Sequence, residues 1–216
     1  MSVYHPRKDE NGKLVTLAKP SQPSPLEAWE ASDQVATVIP DGPLPKGLNT
    51  IPFCSWSNLP TSSQDWELLV DGARFDEPDF IVEPGKKPAS GVVLLEPDGR
   101  VWAVSPSNQF GGYTTTFPKG SQLAKEGLST RANAIKEAYE ESGLRVELTG
   151  FLIDVSRSTS FTRYYVGRRI SGSPADMGWE SQAVHLIPRQ HLTSVINHKN
   201  DAPILKALSD LMVVPS

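Results

Sequence analysis

Proline placement constrains this chain more than any other feature. Twelve of the nineteen prolines fall in residues 1–90, in runs such as Pro20-Ser-Gln-Pro-Ser-Pro25 and Pro40-Asp-Gly-Pro-Leu-Pro45. Each proline fixes φ and removes a backbone donor, so long helices and central strands are not expected there. The same segment carries Trp29, Val35 to Ile39, Ile51 to Phe53, Trp56, Trp66 and Leu68 to Val70. That apolar content is too high for a disordered tail. Residues 1–88 therefore read as an extension of short strands and turns, with one short helix near Ser63–Val70 and a connector over 76–88. The extension is expected to pack on the following domain or on a second subunit, which leaves room for a homodimer.

Residues 89–216 read as one α/β domain. Gly91 to Glu96 and Arg100 to Val104 flank the turn signal Pro97-Asp98-Gly99 and predict a β-hairpin. Tyr113 to Phe117 alternates and predicts a third strand, and Pro118-Lys119-Gly120 predicts a loop. Ser129 to Ser142 is the strongest helix signal. Ser129 serves as N-cap, Gly143 stands just past the end, and Ala132, Ile135, Ala138 and Tyr139 form an apolar face. Leu144 to Leu148, Phe151 to Val155, Arg163 to Ile170 and Ala183 to Ile187 predict four more strands, and Ala202 to Met212 a closing helix.

The strong helix carries Glu137, Glu140 and Glu141. Residues at i, i+3 and i+4 share a helix face, so three carboxylates would repel one another on one patch. A hard divalent cation relieves that repulsion, and magnesium commonly bridges carboxylates to substrate phosphates. Gly120, Gly127 and the run Lys136-Glu137-Ala138-Tyr139-Glu140-Glu141-Ser142-Gly143-Leu144 resemble the Nudix box of the Nudix hydrolase superfamily. Glu137, Glu140, Glu141, Gly143 and Leu144 are in register with it. Three positions depart: Lys136 replaces arginine, Leu128 stands where the first glutamate is expected, and two extra residues follow Gly120. Glu126 is a partial stand-in for that glutamate.

The resemblance implies an α/β/α sandwich with a mixed sheet, preceded here by the proline-rich extension. It also implies a Mg2+- or Mn2+-dependent hydrolase that cleaves the diphosphate linkage of a nucleoside diphosphate derivative. Carried over by position, Glu137, Glu140, Glu141 and the Gly120 carbonyl would hold metal. Glu180, in the loop Asp176-Met-Gly-Trp-Glu180, is the favoured general base, and Asp176 the weaker alternative. ADP-ribose is the favoured substrate type. Dinucleoside polyphosphates, diphosphoinositol phosphates and a non-catalytic nucleotide-binding module are the rivals.

Lys119 and Arg163 are candidates for phosphate, with Arg168 and Arg169 beside them, since arginine matches phosphate geometry with two parallel hydrogen bonds. Phe110, Tyr113, Tyr164 and Trp179 are candidates for stacking on a base. A net charge of -4 argues against binding a nucleic-acid polymer. No apolar run approaches the roughly 18 residues that a membrane span needs, so the expectation is a soluble cytoplasmic enzyme of a small phosphorylated metabolite. His185, His191 and His198 do not have zinc spacing. The single Cys54 reads as a small buried hydrophobe.

Overall fold

A computed structural model describes residues 2–70, 72 and 74–211. The extension supplies α1 (Glu27–Glu30), β1 (Ala36–Val38), β2 (Gly47–Leu48), β3 (Ile51–Pro52) and α2 (Ser63–Leu68). The rest supplies β4 (Lys87–Leu95), β5 (Val101–Pro106), β6 (Lys119–Ser121), α3 (Thr130–Ser142), β7 (Leu144–Ser156), β8 (Ser160–Gly172), β9 (Ser181–Ile187), α4 (Leu192–Val195) and α5 (Ala202–Leu211). The main sheet runs β1-β9-β5-β4-β8-β7, with β6 also paired to β4. The β4–β8 pair is parallel and the others are antiparallel, so the sheet is mixed.

Side-chain alternation divides the core into two layers. Val92, Leu94, Trp102, Val104, Val184 and Leu186 pack with Ala132, Ile135 and Ala138 of α3. Val93, Val101, Ala103 and Ile187 face the other way, onto Ile204 and Leu208 of α5. The strands are thus buried on both faces, as a helix–sheet–helix sandwich requires.

The extension is sewn onto this frame. β1 lies antiparallel to β9 at the sheet edge, which is where a proline-rich segment can pair. The rings of Trp29, Phe53 and Trp102 lie 5.8–6.3 Å apart, and Trp56 sits edge-on to Trp66 at 5.8 Å and to Tyr139 of α3 at 5.2 Å. Two buried arginines reach extension carbonyls: Arg100 donates to Trp29 O at 2.9 Å, and Arg169 to Leu48 O at 2.8 Å. Arg169 is neutralised by Glu96 at 2.7 Å, which also accepts from the Trp102 indole at 2.8 Å.

Some expectations are corrected. Tyr113–Phe117 is not a strand; only Thr116 bridges, to Val104, and the strand is Lys119–Ser121. Gly91 explains the shift, because a Cβ there would lie 2.5 Å from the Pro118 carbonyl. Its absence lets 118–121 close onto β4. Leu144–Leu148 and Phe151–Val155 form one strand, whose register shifts absorb the break at Thr149-Gly150. Cys54 is exposed, because it sits outside the sheet and bridges to Gly172 through its backbone. The end of the closing helix at Met212 lies outside the described residues.

Candidate active site

The site is built where α3 faces the β6 segment. Ser129 caps α3 by accepting from the Ala132 N–H at 3.2 Å, and Gly143 ends it in the left-handed region at φ 69°. A Cβ on Gly143 would also lie 2.2 Å from the Ser173 carbonyl, so only glycine fits. Between these ends, Glu137 and Glu141 stand one turn apart on the inward side and are both buried.

Glu141 accepts from the Lys119 backbone N–H at 3.0 Å. The Glu137 carboxylate lies so close to Gly120 that a Cβ there would sit 2.1 Å from its Oε2. Asn133, one turn before Glu137, donates to Ser90 Oγ at 2.9 Å and to the Gly120 carbonyl at 3.3 Å. This fixes the lengthened loop despite its two extra residues.

Burial and the charges of Glu141 and Glu140 push the Glu137 carboxyl up to about 9. Glu141 is pushed up to about 7 by burial and by Glu180, with Lys119 opposing. Glu180 is raised by desolvation and by the charge of Glu140. Glu140 is different: it is exposed and pairs with Lys136 at 3.1 Å. Lys136 also reaches Glu126 at 3.4 Å, so lysine at the arginine position braces the loop onto the helix. Leu128, in place of the first glutamate, is a core residue.

Two buried carboxylates facing a glycine, with raised proton affinity, fit a hard cation that takes oxygen ligands. Among the described residues no three acidic or imidazole groups already stand as a cage. Magnesium suits such an open arrangement, since it keeps several waters and shares its shell with phosphate oxygens.

A cavity of about 460 Å³ opens beside Glu141, lined among others by Lys119, Tyr113, Arg157, Trp179, Glu180 and His198. It therefore gathers Lys119, Tyr113, Trp179, Glu141 and Glu180. Trp179 and Glu180 also line a second cavity of about 330 Å³ with Glu140 and Asp176.

Tyr113 is already engaged: His198 stacks on its ring at 3.8 Å, and its hydroxyl accepts from Arg157 at 2.6 Å and Asn200 at 2.8 Å. Tyr164 is buried and accepts from Arg157 at 2.8 Å. Arg163 is outside the cavity, held by Asp154 at 2.7 Å and Glu77 at 3.2 Å. Arg168 pairs with Glu147 on the surface, and Arg169 with Glu96 in the core. The side chain of Phe110 lies outside the described residues.

Sequence reasoning missed Asn133, Arg157, His198 and Asn200. Asn133 left a signal, since asparagine inside a strong helix breaks the local pattern and shares a face with Glu137. The other three come from the β7–β8 turn and the segment before α5, where only the fold brings them together.

No family model matches the chain. It is 34% identical over 101 residues to the RNA pyrophosphohydrolases of two Caulobacter vibrioides strains, a stretch covering 46% of this chain and 54% of theirs. The chain thus spans about half the length of the curated relatives it matches. Solved structures similar to it include a Nudix hydrolase from Nitrosomonas europaea and an ADP-ribose pyrophosphatase from Streptococcus suis. The first is 18% identical with TM-score 0.49, over 85% of this chain and 90% of that one. The second is also 18% identical with TM-score 0.49, over 60% and 94%. The resemblance is to Nudix hydrolases. The two buried glutamates stand on α3 in the register read from the sequence, and the departures at Leu128 and Lys136 fall on residues that pack and brace.

Proposed function

We propose that this chain is a metal-dependent Nudix-type pyrophosphohydrolase acting on the diphosphate linkage of a nucleoside diphosphate derivative, with ADP-ribose-like substrates favoured. Residues 89–216 form the catalytic domain and 1–88 the extension that completes it. The observation that carries this reading is the pair of buried carboxylates, Glu137 and Glu141, held against Gly120 with no salt bridge to either among the described residues. Lys136, whose charge is felt by Glu137, is spent on Glu126 and Glu140, and Lys119 meets Glu141 through its backbone N–H.

In this reading Glu137 and Glu141, with Glu140 and the Gly120 carbonyl, hold Mg2+ or Mn2+. The bound cation supplies charge neutralisation on the diphosphate and acidifies the attacking water. Glu180, on the cavity wall, accepts the proton of that water; burial and the charge of Glu140 raise its proton affinity, the direction a base needs. The Lys119 ammonium meets phosphate oxygens. Trp179, which lines both cavities, offers a ring for the base.

The curated relative is named for RNA, and this favours one second reading, in which the diphosphate belongs to a phosphorylated RNA 5′ end. Two assays with magnesium separate them: release of AMP from ADP-ribose, and release of pyrophosphate from 5′-triphosphorylated RNA. Turnover is expected on the first and to vanish in Glu141→Gln with the fold intact. Unchanged turnover in that variant rejects the site assignment.

A further inference from the structure

The N-terminal hairpin is not used by the chemistry above, yet it is built against the loop that bears Glu180. His5 N–H donates to Val15 O at 2.8 Å, Leu17 N–H to Val3 O at 2.9 Å, and Tyr4 bridges Thr16. The turn is closed by Asp9, whose Oδ1 accepts from Asn11 at 2.9 Å and Lys13 at 2.7 Å. The hairpin places Val15 on the wall of the larger cavity and Glu10 on that of the smaller.

Its fastenings converge on the Trp179-Glu180-Ser181 backbone. The buried His5 ring accepts from the Arg7 N–H at Nδ1 (2.9 Å), which leaves Nε2–H to donate to the Ser181 carbonyl at 3.0 Å. Ser107, just past the end of β5 and also buried, spends two polar groups on the same backbone and its third on the N-terminal segment. Its N–H donates to Glu180 O at 2.7 Å, its hydroxyl to Trp179 O at 2.7 Å, and its carbonyl accepts from the Ala18 N–H at 2.7 Å. Gln182 closes the other side, donating to Ala18 O at 2.9 Å and Pro106 O at 3.1 Å. Three consecutive carbonyls, those of Trp179, Glu180 and Ser181, are therefore each pinned by Ser107 or His5.

We infer that His5 and Ser107 are positioning residues for Glu180, and that the N-terminal hairpin is part of the catalytic apparatus. This rests on the reading of Glu180 as the proton acceptor. A loop without these clamps would leave the carboxylate free to wander, and displacement of an acting group by about 1 Å can cost about a hundredfold in rate.

The test uses the full chain with magnesium and ADP-ribose. Ser107→Ala and His5→Ala are expected to lower kcat on the order of tenfold with KM unchanged, and His5→Gln, which keeps a donor and an acceptor, to restore most of it. In a Glu180→Gln background neither substitution should cost anything more, because the group they place is gone. Equal costs in both backgrounds, or a change in KM alone, overturn the inference. Glu180→Gln leaving kcat intact would instead sink the proton-acceptor reading itself, and it is read from that single variant. Amide exchange gives an answer that needs no turnover: Ser107→Ala and His5→Ala should speed exchange over 178–182 and leave α3 unchanged. Unaltered exchange at 178–182 overturns the clamp.

Discussion

The fold disfavours the ionised form of Glu137, so a permanently neutral side chain there should stabilise the metal-free protein. Its carboxyl is raised from 4.5 to about 9, chiefly by burial and then by Glu141 and Glu140. Below the lower value both folded and unfolded chains carry the proton, and the group contributes no penalty. As pH rises the unfolded chain releases the proton while the folded chain keeps it, so the penalty grows until about 9. Each pH unit is worth about 1.4 kcal/mol, which sets a ceiling of about 5 kcal/mol near pH 8. Water entry and relaxation of Glu141 lower this, and about 2 kcal/mol is expected. Urea unfolding of the wild type and of Glu137→Gln in EDTA measures it. The variant should be the more stable by about 2 kcal/mol near pH 8, with the gap nearly closed near pH 5. Added magnesium should stabilise only the wild type. An equal gap at both pH values, or a wild type more stable than the variant near pH 8 in EDTA, refutes the reasoning.

Other substitutions probe the same architecture. Gly120→Ala puts a methyl where Glu137 already lies, and should lower kcat about a hundredfold and weaken magnesium binding seen by calorimetry. Arg169→Met leaves the buried Glu96 carboxylate with the neutral donors Trp102 and Asn49 and without its cation, and should cost about 3–5 kcal/mol in urea unfolding. Trp179→Ala should raise KM for ADP-ribose roughly tenfold with kcat nearly unchanged, the size expected for a lost stacking partner.

The helix with its cap, its stop and its three glutamates was legible because every signal lies within the fifteen residues from Ser129 to Gly143 and obeys one period. The hairpin at 97–99 and the strands on either side were legible for the same reason. Local pattern misled where a remote partner decided the outcome. Tyr113–Phe117 alternates like a strand, but the chain pairs two residues later because Gly91 admits Pro118. Cys54 looks like core material, but Gly172 holds its backbone at the margin. Arg163 and Tyr113 have the right chemistry for a phosphate and a base, yet Asp154, Glu77, His198 and Arg157 already occupy them. Those partners lie on other strands and turns, and no spacing rule connects them.

The pairing of β1 with β9 bears on how this protein can be handled. A fragment beginning at residue 89 would keep every acidic side chain of the helix and still lose its selvedge. The backbone of 184–186 would become a bare ribbon ready to zip onto a copy of itself. The Arg100 and Arg169 guanidinium groups would lose the carbonyls that satisfy them. Such a fragment should gather into oligomers rather than behave as a smaller enzyme, and trimming to the recognisable motif would destroy what it was meant to isolate.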